Sequence, residues 1–153
     1  MKQRSKWWAL LVGGSIAGAL DLLFAVSFAA YNGTAPMELL QTVASGALGE
    51  AAFTGGAPAA ALGLLLHFML SYAWAGVFLL AAMRVPALVR RPLVSGLVFG
   101  IVVFLMMRLV VLPLSAFPFA VKFRPLASIL DLLSHIFFFG VPIALAARRA
   151  LQR

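Results

Sequence analysis

Five ionisable side chains lie within long apolar stretches of the sequence: Asp21, His67, Arg108, Asp131 and His135. A charge in such surroundings is costly, so it is usually paired or functional. Asp131 and His135 are four residues apart and therefore share one face of a helix. Because Arg108 and Asp131 lie in consecutive apolar stretches, we expect an ion pair between them.

This polar cluster has a structural and a functional interpretation. In the structural one, Arg108 pairs with Asp131, which also orients His135. The remaining pair is Asp21 with His67, and the network fixes how the helices pack. In the functional one, the same five side chains form a proton relay or a path for small solutes.

The two histidines also suggest a cofactor site. A b-type haem needs two axial ligands at one depth, and a carboxylate can orient the ring of one of them. His67 and His135 are the candidates for these two ligands. A metal ion is a further alternative, with ligands from His67, His135, Asp21 and Asp131. Nucleophilic catalysis lacks support, because the sequence contains no Cys and no nucleophile elbow around Ser134. No nucleotide-binding glycine motif is present either, so a non-catalytic protein is favoured over an enzyme.

Composition indicates which elements must position this cluster. Of the 153 residues, 64% are hydrophobic and 10% are charged, whereas soluble domains are about half apolar and about a quarter charged. Four apolar stretches reach the roughly 20 residues needed to cross a bilayer, at 7–30, 58–83, 93–114 and 126–147. The sequence therefore predicts one all-α domain over residues 1–153, a polytopic membrane protein built as a four-helix transmembrane bundle.

Lys and Arg residues flank these stretches unequally. Lys122 and Arg124 fall on one side of the predicted bundle, and nine fall on the other: Lys2, Arg4, Lys6, Arg84, Arg90, Arg91, Arg148, Arg149 and Arg153. Since cytoplasmic loops carry such an excess, both termini are predicted to be cytoplasmic. The net charge of +8 then follows from topology, so a nucleic-acid partner is not expected.

The first stretch could instead be a secretory signal peptide, since it has a basic start and Ser27-Phe28-Ala29 resembles a cleavage site. Its length and Asp21 favour a retained helix. With the predicted orientation, Asp21, His67 and His135 each lie about nine residues, roughly 13 Å, from the outer end of their helix. Arg108 and Asp131 lie about six residues from that end. All five are therefore predicted in the outer half of the bundle.

Two further patterns concern packing. Pro36 and the apolar periodicity after it predict a short helix over about 36–49, lying along the outer interface or, alternatively, covering the bundle as a lid. Gly14-x-x-x-Gly18 and Gly96-x-x-x-Gly100 each place two glycines on one helix face. We predict contacts within the bundle at both motifs, with a homodimer face as the alternative.

Several segments resemble a family of small bacterial four-helix inner-membrane proteins that have no assigned activity. They are LQTVASG (40–46), AFTGG (52–56), LHF (66–68), VVLPLS (110–115), His135 and GVPIA (140–144). The resemblance implies the four-helix topology and a bacterial cytoplasmic membrane, but no catalytic residue. Family members often have Asn at the position of Arg108, which implies that the ion pair with Asp131 is particular to this chain.

The leading hypothesis is a structural or interaction module of the membrane, such as an accessory subunit. Its expected partners are the lipid bilayer and either further copies of itself or another membrane protein. The alternative is a protein that binds haem through His67 and His135, or one that moves protons or small solutes by means of the polar cluster.

Overall fold

The computed structural model describes residues 5–152, and these form helices joined by short connections, without strands. The helices are α1 (Lys6–Tyr31), α2 (Pro36–Leu48), α3 (Gly56–Arg84), the single turn α4 (Ala87–Arg90), α5 (Pro92–Leu114) and α6 (Pro125–Leu151). A 3₁₀ segment, Gly49–Phe53, joins α2 to α3. Within residues 5–152, α1, α3, α5 and α6 are the four helices long and apolar enough to cross a membrane. The predicted all-α class with four such helices is confirmed.

Local signals explain where these helices begin and end. Ser5 caps α1, with its Oγ accepting a hydrogen bond from the Trp8 amide at 3.0 Å. Proline occupies the first turn of α2, α5 and α6, where its missing N–H is not needed. Gly33 ends the turn after α1 with a φ of 80°, a conformation that favours glycine. Helix α6 extends beyond the predicted end at residue 147 and includes Arg148 and Arg149.

The closely packed core lies at one end of the bundle. It combines the start of α1, the end of α3, α4 and the end of α6, and Ala9, Leu79, Val89 and Ala150 are all buried there. Gln152 Nε2 donates a hydrogen bond to the Val89 carbonyl at 2.6 Å, which joins the end of α6 to α4. Eight of the fourteen buried residues in this cluster are alanines, so the helix backbones approach one another closely at this end.

Both glycine motifs make contacts inside the bundle. Gly14 and Gly18 face α3, where added methyl groups would meet Tyr72 and Phe68. A Cβ on Gly96 would lie 2.8 Å from the Cα of Val141 in α6. The prediction of contacts within the bundle is confirmed, and the alternative of a homodimer face is wrong because these glycines are buried between helices of one chain.

Helix α2 packs across the first part of α3. Its backbone at Leu40 touches Gly63, where a side chain would collide, and the Gln41 amide donates to the Gly56 carbonyl at 3.2 Å. Ala44 and Ser45 are fully buried in this contact. The helix therefore belongs to the bundle, as in the lid alternative, and its position at a membrane interface stays a prediction.

Helices α5 and α6 each contain a π-helical segment, at Met107–Val111 and His135–Gly140. Pro113 and Pro142 follow these segments by two residues. A proline ring collides with the carbonyl four residues earlier, and each of those carbonyls, at Leu109 and Phe138, lies within a π segment. A wider turn relieves that collision. The two segments carry Arg108 and His135, so they set the direction of two ionisable side chains.

Candidate functional site

Asp21, His67, Arg108, Asp131 and His135 all line one cavity of about 580 Å³. Its other walls are mainly apolar and come from α1, α2, α3, α5, α6 and the loop 115–124. The apolar lining residues include Leu22, Ala25, Val43, Leu66 and Leu70. The five ionisable residues selected from the sequence therefore border one common space, which is called the cavity.

Arg108 and Asp131 form the expected ion pair. Arg108 Nη2 and Nε lie 2.8 Å and 3.2 Å from the same carboxylate oxygen, Asp131 Oδ2. Arg108 Nη1 donates to the Lys122 carbonyl at 3.2 Å. The guanidinium carbon also lies 5.1 Å and 5.4 Å from the ring centres of Phe104 and Phe123. Most of the hydrogen-bonding and cation–π contacts that the Arg108 guanidinium can make are therefore made within the protein.

Asp131 also orients His135, as predicted. His135 Nδ1 lies 2.9 Å from the Asp131 carbonyl and 3.2 Å from Asp131 Oδ1. Its next acidic neighbour is Asp21, with Oδ1 at 3.9 Å. Since all of these oxygens accept hydrogen bonds, Nδ1 must carry a hydrogen. The other ring nitrogen, Nε2, is then the one that can engage a further group.

The partner of Asp21 differs from the prediction. Asp21 was expected to meet His67, but its Oδ1 accepts a hydrogen bond from Ser134 Oγ at 2.7 Å. Ser134 is buried and precedes His135, so α6 presents two consecutive residues to this carboxylate. From the sequence, Ser134 was considered only as a candidate nucleophile. The three-residue spacing from Asp131 could have identified it as a member of the same helix face.

His67 makes its polar contact with backbone instead. Its Nε2 lies 2.9 Å from the Gly18 carbonyl oxygen, so this nitrogen donates and carries a hydrogen. The ring is edge-on to Phe68, with centroids 5.5 Å apart. Gly18 precedes Asp21 by one helical turn. His67 therefore contacts α1, as predicted, but at a position one turn nearer the start of that helix than Asp21. The nitrogen of His67 left with a lone pair is Nδ1.

These contacts bear directly on the two cofactor alternatives. Among residues 5–152, no three His, Asp or Glu side chains are arranged to hold a metal ion, so the site of His67, His135, Asp21 and Asp131 is wrong. For haem, His135 has the required form, with Nδ1 oriented by Asp131 and Nε2 available. His67 does not, because its Nε2–H is bonded to the Gly18 carbonyl. Haem ligation by this pair would require that bond to break.

Fully packed residues close one end of the cavity. One helical turn from Asp21, His67 and His135, toward the closely packed core, are Ala17, Ser71 and Phe139, whose exposed fractions are 0%, 1% and 5%. Val103 occupies the matching position in α5, with 1% exposed. Ser71 Oγ also donates to the Gly14 carbonyl at 2.6 Å, which ties α3 to α1 below the polar level.

Helix α2 and the loop 115–124 lie at the opposite end of the cavity. The Ala116 amide donates to the Gly46 carbonyl at 2.9 Å and joins the two elements. Val43 and Gly46 of α2, and Phe117 and Lys122 of the loop, line this end. The cavity is therefore covered by the two longest connections of the chain, while its floor is formed by the helices themselves.

No known protein family, curated protein or solved structure matches the chain. The resemblance to bacterial inner-membrane proteins stays a prediction. Function must therefore be inferred from the cavity and its side chains.

Proposed function

We propose that this chain is a multi-pass protein of a bacterial cytoplasmic membrane that binds a small amphipathic molecule in the cavity. In this role it is an interaction module or accessory subunit. The observation that carries the proposal is the convergence of five ionisable side chains on one largely apolar cavity of about 580 Å³. Ligand sites typically have volumes of about 300–1,000 Å³, apolar walls and a few polar groups that orient the ligand.

A purely structural role explains the hydrogen bonds but not the open space. The contacts of Arg108 with Asp131 and of Ser134 with Asp21 could form in a closely packed bundle. Side chains that border open space lack packing contacts that they would make in a closely packed bundle. A cavity retained at the level of the polar residues is therefore better explained by an occupant.

Transport is less well supported than binding, because the floor of the cavity is packed. A path across the bundle would have to pass Ala17, Ser71, Val103 and Phe139, all of which are buried. Opening it would require separating helices that touch through Gly14, whose added methyl group would collide with Tyr72. Binding from one side needs no such movement.

The charge distribution supports entry from the outer side. The described basic residues at the closely packed end are Lys6, Arg84, Arg90, Arg91, Arg148 and Arg149, whereas Lys122 and Arg124 lie beside the covered end of the cavity. Lys2, Arg4 and Arg153, which contributed to the topology prediction, lie outside the described residues. By the positive-inside rule, the core end faces the cytoplasm and the cavity faces outward.

Equilibrium dialysis can test the proposed binding. The protein is reconstituted in phosphatidylcholine nanodiscs and titrated with radiolabelled octylamine, octanol and octanoate. We expect saturable binding of at least one probe above its uptake by empty nanodiscs. Ala25→Trp fills the cavity and should abolish this binding, because Ala25 lies one turn from Asp21 on its wall.

The matched control is Leu64→Trp, which adds the same ring at an exposed position of α3 outside the cavity. This variant should bind like the unmodified protein. Absence of saturable binding by all three probes, or binding that Ala25→Trp leaves unchanged, would overturn the proposal.

A further inference from the structure

Among the helix residues that line the cavity, carboxylates outnumber Lys and Arg. Asp21 and Asp131 are its two carboxylates, and Arg108 is the single guanidinium that lines it. Both short contacts of Arg108 to a carboxylate go to Asp131. In the described part of the chain, Asp21 has no ion pair with a Lys or Arg, and its nearest chargeable nitrogen, His135 Nδ1, is closer to Asp131.

Most of the hydrogen-bonding atoms that remain unused around Asp21 are acceptors. Ser134 occupies Asp21 Oδ1, which leaves Oδ2 for a further donor. His67 and His135 each donate from one ring nitrogen to a backbone carbonyl, so their other nitrogens offer lone pairs when the rings are neutral. One carboxylate oxygen and two imidazole nitrogens therefore remain as acceptors on three residues that line the cavity, one each from α1, α3 and α6.

An anionic ligand would fit this arrangement poorly. The cation best placed to receive it, Arg108, already donates to Asp131 and to the Lys122 carbonyl. An incoming carboxylate or phosphate would have to share this guanidinium with Asp131, which lies 2.8 Å from it, and two anions would then adjoin one cation. Lys122 lies on the covering loop, away from the floor formed by the helices.

From this charge balance, and on the basis of the function proposed above, we infer that the ligand is an organic cation. It is an amine with an apolar body, whose ammonium group binds beside Asp21. An ammonium carries three N–H donors and one positive charge, which suit these three remaining acceptors and a carboxylate that has no Lys or Arg partner among residues 5–152. The apolar body contacts wall residues such as Leu22, Val43 and Leu70.

The three octyl probes separate this inference from the proposed function, because they share a chain and differ in head group. In the unmodified protein, octylamine should bind about tenfold or more tightly than octanol, since hydrogen bonds to charged groups are the stronger ones. Octanoate should bind more weakly than octanol. Asp21→Asn should reduce octylamine affinity to that of octanol while leaving octanol affinity unchanged.

Two variants keep the test decisive. Asp21→Glu retains the charge and should retain the preference for octylamine, which guards against a folding defect in Asp21→Asn. Glu50→Gln removes an exposed carboxylate outside the cavity and should change none of the three affinities.

Equal binding of octylamine and octanol, or equal weakening of both by Asp21→Asn, would overturn the cationic ligand while leaving cavity binding intact. Preference for octanoate would also overturn it and would assign the head-group contact to Arg108. Failure of every probe to bind saturably would overturn the proposed function itself.

Discussion

Ser134 Oγ donates a hydrogen bond to Asp21 Oδ1 across 2.7 Å and so joins α6 to α1 beside the cavity. Both side chains are largely withdrawn from solvent, with Ser134 2% exposed. The bond holds the carboxylate on which the proposed amine depends. It also replaces the contact with His67 that the sequence suggested.

Removing this hydroxyl should destabilise the protein. Ser134→Ala leaves one oxygen of Asp21 without its donor, and we expect a loss of about 1 to 3 kcal/mol in the free energy of unfolding. Reversible unfolding in mixed micelles of detergent and dodecyl sulfate measures the loss. Ser27→Ala is the control, because Ser27 Oγ bonds only to a carbonyl of its own helix, that of Leu23. Equal stability of both variants would contradict the assignment.

A double-mutant cycle should detect coupling between Arg108 and Asp131. Each alanine variant leaves a partly buried charge without its partner, whereas the double variant removes both charges. We expect a coupling free energy of about 1 to 3 kcal/mol, between the values for exposed and buried pairs. Effects that add within about 0.5 kcal/mol would show that the 2.8 Å contact contributes little.

Close packing of α5 against α6 should make Gly100 intolerant of a side chain. A methyl group there would collide with the backbone of His135 and Ile136, so Gly100→Ala should cost about 1 to 3 kcal/mol or prevent folding. Gly76→Ala is the matched control in α3, because its Cβ would meet only Leu10 Cδ1 at 3.6 Å. Unfolding in mixed micelles compares the two, and equal stability would contradict the described packing.

The proposed orientation predicts where the chain can be reached. A reporter enzyme fused after Arg153 should be active in the cytoplasm, and one inserted near Gly33 should be active outside, because basic residues concentrate at the core end. An externally located carboxyl terminus would reverse the topology and place the cavity on the cytoplasmic side.

Cysteine labelling gives an independent measurement of the same orientation. The chain contains no Cys, so a single introduced thiol can be followed without background. Val43→Cys lines the cavity and should react with a membrane-impermeant thiol reagent added to intact spheroplasts. Val77→Cys, at an exposed apolar position of α3, should not react because the proposed membrane insertion places it in lipid. Reaction of Val43→Cys only after lysis would contradict outward entry.

Haem binding should not be observed. Because His67 Nε2–H is bonded to the Gly18 carbonyl, His67 and His135 could not both ligate a haem iron through Nε2 unless that bond broke. An absorption spectrum of protein expressed with ample haem, oxidised and then reduced, should be featureless. A Soret band that disappears in both His67→Ala and His135→Ala would restore the haem hypothesis.

Much of the fold could be predicted from the lengths of the apolar stretches and from the prolines and glycines between them. Apolar stretches of sufficient length predicted the four long helices, and Pro36 with the periodicity after it predicted α2. Counting along each helix also predicted that Asp21, His67 and His135 share a level, since the rise per residue is constant at about 1.5 Å. The cavity that these residues line agrees with that count.

The sequence determined depth along each helix, but only the tertiary structure decided the direction of each side chain around it. Helices α1, α3 and α5 are apolar on nearly all sides, so no polar face indicates which of their residues turn inward. Asp21 therefore meets Ser134 rather than His67, and the π segments beside Pro113 and Pro142 alter the directions of Arg108 and His135. Rotation about a helix axis changes contacts without changing depth, and packing between helices alone fixes it.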